Sequence, residues 1–154
     1  MGEAGVKARR IFAAVPVKSL ARAKSRLARE LDQPDRRAVT LDMVRAVLAQ
    51  LAASPDVVSF VVVSRDRDVL ELSRRSGGEA LRETGEGLNA ALEQARAWSL
   101  SRTAESLLVL PGDIPLIQAA DLADLIALGD VHEVVIAPAN DLGTNALLLR
   151  PPDA

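Results

Sequence analysis

Asp113 comes just after the run Leu107-Leu108-Val109-Leu110 and lies between Pro111-Gly112 and Ile114-Pro115-Leu116. An unbroken apolar run bounded by turn residues reads as a strand buried on both faces, as in a parallel sheet. The prolines restrict the chain on either side of the acid, because a residue before proline is pushed away from helix. One carboxylate is thereby held at the carboxyl end of a central strand, the edge where ligands bind in open α/β sheets. A carboxylate there suits a divalent cation of the Mg²⁺ kind, usually held by one or two carboxylates together with substrate phosphates. The plainer alternative is an Asp that only caps the next helix.

Three further groups could do chemistry. Lys18 follows an apolar run, with Lys24 and Arg26 close behind. Two of the chain's three lysines lie in this short segment. A Lys point charge and an Arg fork are both good phosphate partners. The same residues are also compatible with a solvated helix whose Leu20 and Leu27 face inward, and Arg22, Arg29, Arg36 and Arg37 read as surface. Gly85-x-Gly87-x-x-Ala90 has the outline of a phosphate-cradling loop before a helix. Its preceding strand is polar and it lies mid-chain, which argues against a dinucleotide fingerprint. Asn89, beside it, carries an amide able to read a base edge, or is an ordinary helix-start residue. Gly143-Thr144-Asn145 offers a hydroxyl and backbone N–H groups to an anion, although turn chemistry explains it equally. His132 reads as a surface residue. There is no Walker motif, nucleophile elbow or HExxH.

The elements needed to hold these groups alternate. Ile11 to Val17 reads as a strand, and Pro34-Asp35 opens a helix running to about Ala53 with Leu41, Val44, Leu48 and Leu51 at helical spacing. Val57 to Val63 is a strand, Asp66 to Ser76 a helix ended by Gly77-Gly78, and Glu79 to Arg82 a short strand. Leu88 to about Leu100 is a helix with Leu88, Ala91, Leu92, Ala95 and Trp98 on one side. After the central strand come a helix over Ala119 to Leu128, a strand over Val134 to Ala137, a turn at Asn140 to Thr144 and a strand over Ala146 to Leu149. Strands alternating with helices imply an α/β fold: a mostly parallel sheet with helices on both faces.

The length of 154 residues, 49% of them apolar, fits a single domain spanning 1–154 with residues 1–10 as a flexible N-terminus. No apolar run is long enough to cross a membrane. No signal-peptide pattern is visible, so the expectation is a cytoplasmic protein with no membrane partner. Cysteine is absent, which excludes disulfides and thiolate metal sites. Charge is uneven: Lys7 to Arg37 holds ten basic residues against three acids, and Ala38 to Ala154 nine against seventeen. That asymmetry suits an anionic ligand held locally. It does not suit a nucleic-acid surface, which needs a wider basic footprint and more stacking aromatics than Phe12, Phe60 and Trp98.

Taken together, the segments resemble a known family. Val15-Pro16-Val17-Lys18-Ser19-Leu20-Ala21-Arg22-Ala23-Lys24-Ser25-Arg26-Leu27 is similar to the opening of the guanylyltransferases of coenzyme F420 biosynthesis, which act on 2-phospho-L-lactate or phosphoenolpyruvate. Val61-Val62-Val63-Ser64, Gly85-Glu86-Gly87-Leu88-Asn89-Ala90-Ala91-Leu92, Leu110-Pro111-Gly112-Asp113-Ile114-Pro115-Leu116, Val135-Ile136-Ala137-Pro138 and Gly143-Thr144-Asn145-Ala146-Leu147 fall in the family's order and spacing. Each motif alone is common. Their succession over residues 11 to 152 is specific.

The resemblance implies a nucleotidyltransferase fold of the GT-A or MobA-like, Rossmann-like kind, acting on GTP and a small phospho-acid. It implies that Asp113 holds Mg²⁺ and that Lys18, with Lys24 and Arg26, neutralises the triphosphate and the leaving pyrophosphate. Pro16, Gly87, Asn89 and Gly112 fall at nucleotide-binding positions, and Thr144 at the phospho-acid position. A homodimer is open to such a chain. Family members continue with a Phe-Gly-x-x-Ser-Phe segment and a later acidic strand that completes the metal site, so this sequence reads as truncated at the C-terminus. The alternatives are a MobA-like or sugar-phosphate-type nucleotidyltransferase and a nucleotide-binding module without catalysis. The Gly-Gly-x-Gly-x-Arg opening common among the former is replaced here by Pro16-Val17-Lys18.

Overall fold

Apolar runs and amphipathic segments alternate along the chain and become strands and helices in turn. In a computed structural model describing residues 10–18, 33–140 and 143–154, they are β1 (Ile11–Pro16), α1 (Gln33–Ala53), β2 (Val57–Ser64), α2 (Arg67–Arg75), β3 (Glu79–Arg82), α3 (Gly87–Ser101), β4 (Ser106–Val109), α4 (Ala119–Leu128), β5 (Val134–Pro138) and β6 (Thr144–Leu149). One sheet takes all six strands in the order β3-β2-β1-β4-β6-β5. β1 is parallel to both β2 and β4, and β2 is parallel to β3. β6 alone is reversed, antiparallel to β4 and β5. The expected mostly parallel α/β sheet is therefore observed.

Local chemistry fixes the helix starts. Asp66 caps α2 by accepting hydrogen bonds from Asp68 N at 2.9 Å and Val69 N at 3.3 Å. α4 begins in a capping box in which Gln118 and Asp121 satisfy each other's backbone. Gln50 of α1 also accepts from Ala119 N at 2.9 Å, which ties the two helices together.

Side chains alternate across the strands, so β1, β2 and β4 each feed two separate cores. Ala13, Val15, Val62, Leu108 and Leu148 face α1, α2 and α4, meeting Val44, Leu48, Leu51, Val69, Leu122 and Ile126. Phe12, Ala14, Val61, Val63 and Leu107 face α3 and meet Ala91, Ala95 and Trp98. Each such Leu or Val, fully buried, is stabilising by about 1.5–3 kcal/mol. Trp98 packs edge-on to Phe12 with ring centroids 5.4 Å apart, and its indole N–H donates to Glu79 Oε2 at 3.3 Å. Helices thus lie on both faces, but among the described residues the second face has only α3. Beyond that helix Val134, Ile136, Leu147 and Leu149 form open apolar rows across β5 and β6.

Two expectations need correction. Leu88 is 57% exposed, because the first turn of α3 rises past the rim of the sheet, where no strand is left to cover it. Arg10 is fastened rather than flexible: its guanidinium donates to Arg102 O at 2.9 Å and to Thr103 O at 3.2 Å. Residues 1–9 lie outside the described residues. Among the described residues no helix is long and apolar enough to cross a membrane.

Candidate functional site

Topology alone decides which motifs meet. β1, β2, β3 and β4 run the same way, so the segments that leave them emerge on one edge. Pro16 closes β1 opposite Val63, and Val17 N donates to Val63 O at 3.0 Å, which carries the strand line on to the exposed Lys18. Gly112 and Asp113 follow the end of β4, next to β1. The reversed strand β6 begins at that same edge, with Thr144 opposite Pro138. Strands stand about 4.8 Å apart, so the steps from β3 to β6 spread these groups over about 20 Å. Lys18 and Asp113 leave the two adjacent central strands.

Close packing holds the acid there. A Cβ on Gly112 would stand 3.0 Å from Val17 Cγ2 and 3.1 Å from Val44 Cγ2. A bare backbone lets the Asp113 turn lie close on the end of β1 and on α1, where a Cβ would have to push the two valine methyls aside by a few tenths of an ångström. Asp113 does not cap the next helix, because Gln118 and Asp121 do that. Its carboxylate is exposed at a strand end. Among the described residues no three His, Cys, Asp or Glu side chains cluster to enclose a metal. A single carboxylate in this position fits a cation of the Mg²⁺ kind that takes its other ligands from phosphates and water.

The loop after β3 is built for a turn. Gly87 has φ of +84°, in the left-handed region, while a Cβ there would meet nothing within 4 Å. The backbone, not space, asks for glycine at this position. Gly85 lies so near Ala90 that a Cβ would come within 2.6 Å of the alanine methyl. Asn89 is exposed in the first turn of α3, and Glu86, its N-cap, makes no side-chain capping bond.

Of the expected site residues, the structure brings Pro16, Lys18, Gly87, Asn89, Gly112, Asp113 and Thr144 to the region of one edge. Lys24 and Arg26 lie outside the described residues, as do Arg22 and Arg29. His132 is exposed, as expected. Arg36 and Arg37 are half-buried rather than simply solvated. Arg37 pairs with Asp66 at 3.3 Å and with Asp68, joining the first turns of α1 and α2. Its guanidinium is pushed above its ordinary pKa, mainly by the hydrogen bond to Asp68 and then by Asp66, against a desolvation cost. Sequence reasoning missed Arg65 and Gln94, both of which bind the backbone beside Gly85. Single polar contacts between distant segments leave no periodic trace to find them by.

Comparison with known proteins gives the family. The family model described as guanylyl transferase CofC like matches residues 11–154. A phosphoenolpyruvate guanylyltransferase of Rubrobacter xylanophilus is 48% identical over 146 residues, covering 94% of this chain and 71% of that protein. A 2-phospho-L-lactate guanylyltransferase of Methanothermobacter thermautotrophicus is 41% identical over 140 residues, covering 90% of this chain and 61% of that protein. Among solved structures, a 4-diphosphocytidyl-2C-methyl-D-erythritol synthase superposes with a TM-score of 0.64 at 16% identity, covering 94% of this chain and 76% of that one. That likeness speaks for the nucleotidyltransferase fold alone. A family match over nearly the whole chain and a relative at 48% identity agree: this chain belongs to the CofC-like guanylyl transferase family.

Proposed function

We propose that this edge transfers the guanylyl group of GTP to the phosphate of phosphoenolpyruvate, releasing pyrophosphate, as a step of coenzyme F420 biosynthesis. The observation that carries the reading is the convergence of Lys18, Asp113 and Thr144, from three neighbouring strands, on one edge. Phosphoenolpyruvate is preferred over 2-phospho-L-lactate because relatives at 48% and 42% identity carry the former name.

In the reaction an oxygen of the acid's phosphate forms a bond to the α-phosphorus of GTP. The bond from that phosphorus to the bridging oxygen breaks, and pyrophosphate leaves with the electron pair. Such transfer needs positioning and charge neutralisation more than a protein nucleophile. Asp113 would hold Mg²⁺, which when bound neutralises developing phosphate charge. Lys18 faces the triphosphate from the end of β1, and Lys24 and Arg26 are assigned the same charge role. Pro16 and Gly112 border the nucleotide, Gly87 and Asn89 take the guanosine side, and Thr144 takes the phospho-acid. The order along the edge suits this division: the glycine loop lies at one end, the charged pair of segments in the middle and Thr144 toward the other end.

Pyrophosphate release tests the reading. GTP and Mg²⁺ are supplied with phosphoenolpyruvate, 2-phospho-L-lactate or 3-phosphoglycerate, and product masses are recorded. Release with phosphoenolpyruvate and GTP, but not with ATP or CTP, is the expected result. Release with CTP instead, or none with any acid, overturns it.

A further inference from the structure

The connection from β3 to α3 is fastened residue by residue, and the fasteners come from different elements. Gln94 of α3 donates through Nε2 to Arg82 O at 3.0 Å and accepts through Oε1 from Thr84 N at 3.0 Å. Glu83 N donates to Ser64 O, at the end of β2, at 3.0 Å. Arg65, the next residue of that segment, donates through Nη2 to Gly85 O. Its Nε stands 3.7 Å from Glu83 Oε2, on a carboxylate whose side chain is only 13% exposed.

Arg65 is itself placed firmly. Ser64 before it is buried, and Asp66 after it caps α2 and receives a hydrogen bond from Arg37. The guanidinium therefore reaches sideways along the sheet edge from an anchored backbone. It contacts a backbone oxygen and a carboxylate oxygen of the β3–α3 segment. The loop this holds runs on into Glu86, an N-cap that makes no side-chain capping bond, the left-handed Gly87 and Asn89.

We propose that Arg65 and Gln94 are positioning residues that preorganise the Gly85-Glu86-Gly87 turn for the guanine nucleotide; this rests on the functional reading above. Ordering a glycine-containing turn before the ligand arrives removes an entropic cost from binding. The effect belongs in GTP affinity rather than in the chemical step, since neither side chain is assigned to the reacting atoms.

The test compares Arg65→Met, Arg65→Lys and Gln94→Leu with the unsubstituted chain. Backbone amide exchange at residues 84–88 is followed without ligand, and GTP affinity and steady-state constants are measured separately. In Arg65→Met the exchange should speed up about tenfold, as for loss of one charge-assisted hydrogen bond. KM for GTP should rise about tenfold while kcat changes less than about threefold. KM for the phospho-acid should stay constant, and Arg65→Lys should recover part of the loss. Arg75→Met, at an exposed ion pair with Glu71, should change none of these. Unchanged exchange in both Arg65→Met and Gln94→Leu overturns the fastening. Faster exchange with unaltered GTP affinity overturns the link to the nucleotide. If the unsubstituted chain binds no GTP although exchange responds, the functional reading falls, and the nucleotide role falls with it.

Discussion

Val135 and Ile136 are neighbours in β5, yet the first is 8% exposed and the second 56%. The same contrast runs through β6, where Leu148 is buried and Leu149 only half-buried. Both pairs compare the two faces of one sheet. The first face is closed by α1, α2 and α4. The second is closed by α3 as far as β4 and then opens. There Leu92, Leu107, Val109, Leu147, Leu149 and Pro152, with Asn89, Glu93 and Arg96 of α3, line a groove of about 170 Å³. Equal hydrophobicity along a strand does not mean equal burial. Burial follows from which helices the connections deliver to each face.

Adjacent leucines give the largest and most direct test of that contrast. Leu148→Ala should cost about 2–5 kcal/mol in urea unfolding, since it opens a cavity in a filled core. Leu149→Ala should cost less, about 1–2 kcal/mol, because its side chain is already partly open to solvent and its removal encloses no cavity. Equal losses would mean that the second face is covered in solution. Asp113→Asn separates the edge from both faces. Turnover should fall about 10²–10³-fold while the unfolding midpoint stays within error of the unsubstituted chain. A matching loss of stability would make Asp113 a packing residue. Arg37→Ala removes an ion pair on the first face that is partly open to water. The loss should be about 1 kcal/mol at most and should shrink in salt. The raised pKa keeps Arg37 charged wherever its unfolded form is charged, so its contribution persists across neutral pH and is lost only as strongly alkaline pH passes the folded value. Ile136→Thr should be the smallest effect, within about 0.5 kcal/mol. A larger cost would again close the second face.

Much of the architecture was legible in the sequence because it is written locally. Ala119 to Leu128 and Glu79 to Arg82 match the observed helix and strand end to end, since their boundaries are marked by cap and turn residues. Phase within a helix was less secure. The apolar stripe of α3 includes Leu88 by spacing, but burial also needs a partner at that height. Arg36 and Arg37 looked solvated because charge predicts exposure on average, whereas Asp66 and Asp68 arrive opposite Arg37 from another helix. Arg65 and Gln94 carried no signal, because a hydrogen bond across the fold depends on neither period nor composition.

What the sequence by itself determined is the alternation of strands and helices, the family, and the placing of Lys18, Gly87 and Asp113 at or just past strand ends. These follow from short-range sterics, hydrophobic period and motif order. Tertiary structure decided that β6 inserts, reversed, between β4 and β5. That insertion brings Thr144 to the Asp113 edge and leaves one apolar face open. Strand order is set by the competition of whole faces for cover, a long-range balance that local residue patterns do not encode.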